Sequence, residues 1–111
     1  MLEYLTTASI VGINSNMDAV LLFRKRTVLL EKTFVEMVVW KVPEPVRGSL
    51  HGFKYRLALV KDGICVLRYD NESGKGDHRH MGAIEMAYHF TDPESLQADF
   101  WKDVAAWMTK Q

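Results

Sequence analysis

The alternation of apolar and polar residues along this chain predicts several strands followed by one helix. Residues 33–42 (TFVEMVVWKV) carry apolar groups at both odd and even positions, which is typical of a central strand, and Pro43 and Pro45 then end it. Similar apolar runs predict strands at residues 53–60, 64–70 and 85–90. These strands come from one continuous segment, so the sheet is expected to be mainly antiparallel.

Two hairpins are predicted in this sheet. In the first, strand 19–23 and its return 27–30 flank a polar turn, Arg24-Lys25-Arg26. In the second, Asp62-Gly63 lies between two apolar runs, which is a strong hairpin signal. Unbroken pairing from that two-residue turn puts Arg56 opposite Tyr69 and Lys54 opposite Asn71. The end of the hairpin far from the turn is therefore polar and leads into a glycine-containing loop.

The C-terminal segment predicts a helix. Asp92 can cap it, Pro93 suits its first position, and apolar residues recur at helical spacing in Leu96, Phe100, Val104, Trp107 and Met108. Strands followed by a helix indicate an α+β fold, with an antiparallel sheet of about five to six strands and the helix packed on one face. We expect residues 1–16 to form an extension of uncertain structure and residues 17–111 to form a single domain.

Composition limits the classes of function. The 111 residues carry 14 Lys plus Arg against 14 Asp plus Glu, so overall charge does not favour nucleic acid. The distribution is uneven, because residues 47–80 hold seven basic against four acidic side chains and residues 82–111 hold two against five. No apolar run approaches a membrane span and no signal peptide is evident, which predicts a cytoplasmic protein. The lone Cys65 excludes an internal disulfide and is expected to be buried.

Residues 68–80 (RYDNESGKGDHRH) concentrate ionisable side chains around Gly74 and Gly76, which indicates a functional site. One mechanism for it is RNA cleavage without a metal or other cofactor, in which histidines transfer protons and cations hold the phosphate. A second is a metal site built on His78 and His80, with Asp77, Asp70 or His51 as a further ligand. A third is binding of a phosphate or nucleotide by backbone N–H groups of the glycine loop. A solvated hairpin extension with no function is the fourth interpretation.

The same residues carry a resemblance to a family. Several sequence blocks together resemble the TumE-type toxins of bacterial type II toxin–antitoxin modules. These blocks are the strand ending at Trp40 with the two prolines that follow it, the FKYR segment, the YDN segment and GKGDHRH. The resemblance covers roughly residues 20–107. It implies a toxin whose partner is a cognate antitoxin. Because many small toxins of such modules are RNases, it also favours RNA as the second partner, although a neutral chain departs from the strongly basic ribosome-dependent RNases.

The leading hypothesis is therefore an RNA-cleaving toxin, a monomer or a homodimer. Its predicted catalytic residues come from the cluster: His78, His80, Arg79, Lys75, Asp70 and Tyr69. Its predicted substrate-binding residues are Arg68, Arg56, Lys54, His51 and Asn71. The competing hypotheses are a non-catalytic nucleic-acid or nucleotide-binding protein and a metal-dependent hydrolase.

Overall fold

The computed structural model describes residues 18–111, so the predicted extension at residues 1–16 lies outside the described part of the chain. Within residues 18–111, six strands precede one helix: β1 (Val20–Leu30), β2 (Thr33–Lys41), β3 (Phe53–Lys61), β4 (Ile64–Asp70), β5 (His78–Met81), β6 (Ile84–Ala87) and α1 (Pro93–Met108). The strands form one antiparallel sheet in chain order, β1 to β6. The predicted α+β class and the C-terminal helix are confirmed.

The first predicted hairpin is wrong. Residues 20–30 form one continuous strand that pairs with β2, and the chain turns instead at Glu31-Lys32, where Lys32 has a φ of 59°. Arg24 and Arg26 point to one face of this strand and Lys25 to the other, and all three are exposed. Because each long side chain reaches water from within the strand, a run of three cations does not require a turn.

The second hairpin is confirmed at its turn and wrong in its far register. Asp62 and Gly63 have φ values of 51° and 78°, as a two-residue type I′ turn requires. Pairing then shifts by one residue beyond Val60, so that Arg56 lies opposite Asp70 and not opposite Tyr69. A bulge of one residue exchanges the faces of all residues that follow it. This shift decides which side chains of β4 share a face with Arg56.

Helix α1 packs across one face of the sheet. The Asp92 carboxylate caps it by accepting the Ser95 N–H at 2.7 Å, as predicted. The helix contributes Leu96, Phe100 and Val104 to the core, and burial of each side chain contributes about 1.5–3 kcal/mol to folding. Their sheet partners are Val35, Met37, Val39, Tyr55, Leu57, Leu59, Leu67 and Tyr69. No helix in residues 18–111 has the length and apolar character that crossing a bilayer demands.

Two smaller expectations also change. The predicted strand 85–90 is the shorter β6, which ends at Ala87 and forms a hairpin with β5. Cys65 is exposed and not buried. It lies opposite Val60 next to the hairpin turn, on the face of the sheet that α1 does not cover.

Candidate functional site

Strand β5 places both predicted catalytic histidines on the face of the sheet that points away from α1, which we call the open face. His78 pairs with Asp70 and His80 pairs with Arg68 on the neighbouring strand. Side chains alternate between the two faces of a strand, and Leu67 and Tyr69 of β4 are buried against the helix side. Arg68, Asp70 and the two histidines therefore share the open face. The two imidazole rings are 6.4 Å apart between centroids.

His80 is surrounded by charged groups of both signs. Its Nε2 lies 3.1 Å from Arg68 Nη2, 3.4 Å from Glu85 Oε2 and 3.8 Å from Asp70 Oδ1. The guanidinium can donate to Nε2 only when that nitrogen carries no proton, whereas the carboxylates accept from it only when it is protonated. Each protonation state of the ring thus has a partner in place, which suits a group that takes up and releases a proton.

Asp70 holds Arg68 beside the histidines. Its carboxylate is largely buried and lies 3.0 Å from Arg68 Nε, an ion pair on the open face. Lys54 and Arg56 on β3 are exposed next to this pair. The four residues line a shallow cavity of about 140 Å³ together with Tyr55, Asn71 and Glu72. In residues 18–111, no three His, Cys, Asp or Glu side chains come together as a metal ion would need.

Tyr69 and Arg79, also predicted to be catalytic, lie on the opposite face beneath α1. The Tyr69 hydroxyl donates to Asp103 Oδ2 at 2.5 Å, and Arg79 Nη1 donates to the same oxygen at 3.3 Å. Burial raises the pKa of Tyr69 well above its usual value. These hydrogen bonds connect β4 and β5 to the helix, so both side chains are engaged in holding the two layers together.

His51 lies in a network that joins the β2–β3 loop to the β4–β5 loop. Its Nε2 is 2.7 Å from Asp77 Oδ2, and its Nδ1 accepts the Phe53 backbone N–H at 3.2 Å. The Tyr55 hydroxyl donates to the same Asp77 oxygen at 2.7 Å, and Ser49 Oγ donates to the other at 2.6 Å. Burial and the hydrogen bond to Asp77 raise the pKa of Tyr55. Both ring nitrogens of His51 are occupied, so the ring serves to join the two loops.

Asn71 extends the sheet with its side chain. The β3–β4 ladder stops at Arg56 and Asp70. Beyond it, Asn71 Oδ1 accepts the Tyr55 N–H at 3.0 Å, while Asn71 Nδ2 donates to the Phe53 carbonyl at 2.8 Å and to Ser49 Oγ at 3.2 Å. The amide therefore substitutes for a backbone peptide group. Asn71 is only 1% exposed, and its amide is used to connect β3, β4 and the β2–β3 loop.

The glycine loop, residues 74–76, packs against the β2–β3 loop. Gly74 N–H donates to the Arg47 carbonyl at 2.6 Å and Lys75 N–H donates to the Glu72 carbonyl at 3.1 Å, so neither is free for an anion. Gly76 has a φ of 77°, and a Cβ there would lie 2.9 Å from the Gly48 carbonyl oxygen. The Lys75 side chain, between Gly74 and Gly76, is exposed.

Sequence reasoning missed Glu85, Asp103, Ser49 and Tyr55. Glu85 follows from pairing β5 with β6 across Gly82-Ala83, by the same counting outward from a two-residue turn that Asp62-Gly63 allows. Asp103 has no such signal, because its hydrogen bond with Tyr69 depends on how the helix crosses the sheet.

A comparison of the sequence with known protein families gives a match over nearly the whole chain. The family model described as Toxin TumE matches residues 13–108. The chain belongs to the TumE toxin family. As a TumE-family toxin it has an antitoxin as its implied partner. Neither the curated proteins nor the solved structures that were compared with the chain gave a match.

Proposed function

We propose that this TumE-family toxin is a metal-independent endoribonuclease whose active site lies on the open face around His78 and His80. The observation that carries the proposal is the position of these two imidazoles on one strand and one face, with the guanidinium of Arg68 beside His80. Cleavage of RNA without a metal needs a base, an acid and cations on the phosphate. The open face presents all three kinds of group within one small area.

In this mechanism one histidine takes the proton of a 2′-hydroxyl. The 2′-oxygen then forms a bond to the adjacent phosphorus as the bond from phosphorus to the 5′-oxygen breaks, and the other histidine gives a proton to that leaving oxygen. The products are a 2′,3′-cyclic phosphate and a free 5′-hydroxyl. We assign the base to His80, because Arg68 keeps its Nε2 as a hydrogen-bond acceptor and Glu85 stabilises the ring once it is protonated. His78, on the same face, is then the acid.

Three cations are positioned for the phosphate. Arg68 is held by Asp70, and preorganised donors stabilise developing charge more effectively than mobile ones. Arg56 and Lys54 are exposed on the adjacent strand and line the same cavity as Arg68. Lys75 on the β4–β5 loop is the fourth candidate. Tyr69 and Arg79 are left out of the reacting groups, because the Tyr69 hydroxyl and Arg79 Nη1 are bound to Asp103 on the helix side of the sheet.

The test uses matched histidine variants on a defined oligoribonucleotide. His78→Asn and His80→Asn should each slow cleavage by about 10²–10⁴-fold, the range for loss of a general acid or base. His89→Asn is the control, since His89 is exposed and lies outside the open-face cluster. Replacing the 2′-hydroxyl at the cleaved position by hydrogen should abolish the reaction. Expression in cells without antitoxin should show growth arrest that follows the same order of variants.

Three results would overturn the proposal. Full cleavage and full growth arrest by both histidine variants would show that the imidazoles do not transfer the protons. Loss of cleavage in a chelator, with recovery on adding a divalent ion, would favour a metal-dependent hydrolase. Salt-sensitive binding to RNA that is never cleaved would identify the protein as a non-catalytic binder.

A further inference from the structure

The cations of the candidate active site continue across the sheet to its β1 edge. In one row across the strands, His78, Asp70, Arg56, Val38 and Arg24 lie opposite one another in turn. In the next row the order is His80, Arg68, Ala58, Glu36 and Arg26. Neighbouring strands are about 4.8 Å apart, so Arg24 lies roughly 19 Å from His78 along the sheet. A line of positive charge therefore leads away from the histidines.

These distal cations are available to a ligand to different degrees. Among residues 18–111, no carboxylate lies within ion-pair distance of Arg24, Lys54 or Arg56. Arg26 is 3.6 Å from Glu36, an exposed pair, and its guanidinium lies 3.9 Å above the Phe34 ring. The open face at β1 to β3 thus holds positive charge that the described residues only partly neutralise.

Trp40 adds an aromatic ring to the same face. It lies opposite Leu21 on β1 and Lys54 on β3, and its side chain is half-buried. Its neighbours along β2, Val39 and Lys41, alternate to the helix side. An aromatic ring on the surface of a sheet can stack on a base, and it can do so only where that base is unpaired.

We infer that β1 to β3 of the open face bind the single-stranded part of an RNA that flanks the cleaved bond. Arg24 and Arg26 bind successive phosphates, and Trp40, one row further along the same face, stacks on an unpaired base beside them. The inference rests on the proposed function for its choice of ligand. It adds a binding track that is separate from the reacting groups and that selects single strands over duplexes.

The chain contains its own matched control. Lys25 lies between Arg24 and Arg26 with a similar charge and exposure, but it points to the opposite face. The probe is a fluorescently labelled, single-stranded 2′-O-methyl RNA, which has no free 2′-hydroxyl and so reports binding without cleavage. Affinity is measured over a range of salt concentrations for Arg24→Gln/Arg26→Gln, for Lys25→Gln and for Trp40→Leu, with circular dichroism and thermal unfolding to show that each variant is folded.

For the double arginine variant, the slope of log affinity against log salt should become shallower by about 1.4, or about 0.7 for each phosphate that is no longer neutralised. Lys25→Gln should leave the slope unchanged. Trp40→Leu should weaken binding by about 5- to 150-fold with little change in slope, because stacking does not involve counterions. A duplex of the same sequence should bind more weakly and should not respond to Trp40→Leu.

Other outcomes would overturn the inference. Equal effects of Lys25→Gln and the double arginine variant on RNA binding would mean that binding depends on the overall charge of the protein and not on the open face. Unchanged RNA binding by the double arginine variant, together with weaker binding of the antitoxin, would assign this face to the antitoxin. If the wild-type protein never cleaves RNA but binding follows the expected pattern, the proposed function fails while the track stands.

Discussion

Replacing Asn71 tests how the candidate site is held in shape. This buried amide joins two strands after their backbone ladder has ended, and it also reaches Ser49 in the loop network. Asn71→Ala removes the acceptor of the Tyr55 N–H and the donor to the Phe53 carbonyl. The small alanine side chain cannot replace either bond.

The expected magnitude follows from those two backbone groups. A buried donor or acceptor left without its partner costs about 1–3 kcal/mol. Asn71→Ala should therefore lower the free energy of unfolding by roughly 2–6 kcal/mol, a large part of the roughly 5–15 kcal/mol typical of whole domains. A neighbouring exposed variant, Glu72→Ala, should change it by no more than about 0.5 kcal/mol.

Asn71→Asp adds a pH dependence of known sign. The new carboxyl keeps the shape and the Tyr55 hydrogen bond, but when ionised it has no proton to donate to the Phe53 carbonyl. Burial raises its pKa in the folded state above the unfolded value of about 3.9. The stability contributed by the protonated form is fully present below that unfolded pKa and is lost as the pH rises through the folded pKa. The deficit relative to wild type should therefore be larger at neutral pH than in mild acid.

The assay is urea unfolding followed by tryptophan fluorescence, with wild type and each variant measured at every pH. An Asn71→Ala cost below about 1 kcal/mol would refute the reasoning, because it would mean that water replaces the amide at little cost. An Asn71→Asp deficit that grows as the pH falls would refute it as well.

Three further predictions concern the core, the loops and the tyrosines. Phe100→Ala should lower the free energy of unfolding by about 3–5 kcal/mol in the same urea assay, because its ring is fully buried. Gly76→Ala should destabilise more than Gly63→Ala, since both have positive φ but only the Cβ at 76 meets a carbonyl, that of Gly48; equal thermal midpoints would contradict this. In an alkaline absorbance titration, tyrosines with raised pKa values should ionise only as the fold is lost above about pH 10, and early ionisation would contradict the effect of burial for Tyr55, Tyr69 and Tyr88.

Local patterns predicted most of the fold correctly. The type I′ turn at Asp62-Gly63 and the capped start of the helix at Asp92 both depend on a few adjacent residues, which is why their sequences suffice. The predicted turn at 24–26 failed because three long cations are as well solvated in a strand as in a turn. Local polarity cannot distinguish those two cases.

The sequence marked the segment of the candidate site, and the tertiary structure distributed the side chains of that segment between the two faces of the sheet. Charge density alone marked residues 68–80, and the family match over residues 13–108 agrees that the chain is a toxin. The β4–β5 pairing puts Arg68 and Asp70 on the face of the histidines, and the one-residue shift in the β3–β4 register decided that Arg56 shares this face while Tyr69 lies on the other. A bulge has no clear local sequence signature, so this division could not be predicted.

By itself, then, the sequence determined the class of fold and the family and marked the segment of the candidate site, because these depend on residue types and their order. Only the tertiary structure decided which of those residues meet. Strand pairing brings His80 beside Arg68 and His78 opposite Asp70, whereas Arg79, between them in sequence, is turned under the helix to Asp103. Alternation along a strand puts the side chains of sequence neighbours on opposite faces of the sheet, and pairing between strands brings residues that are distant in sequence together.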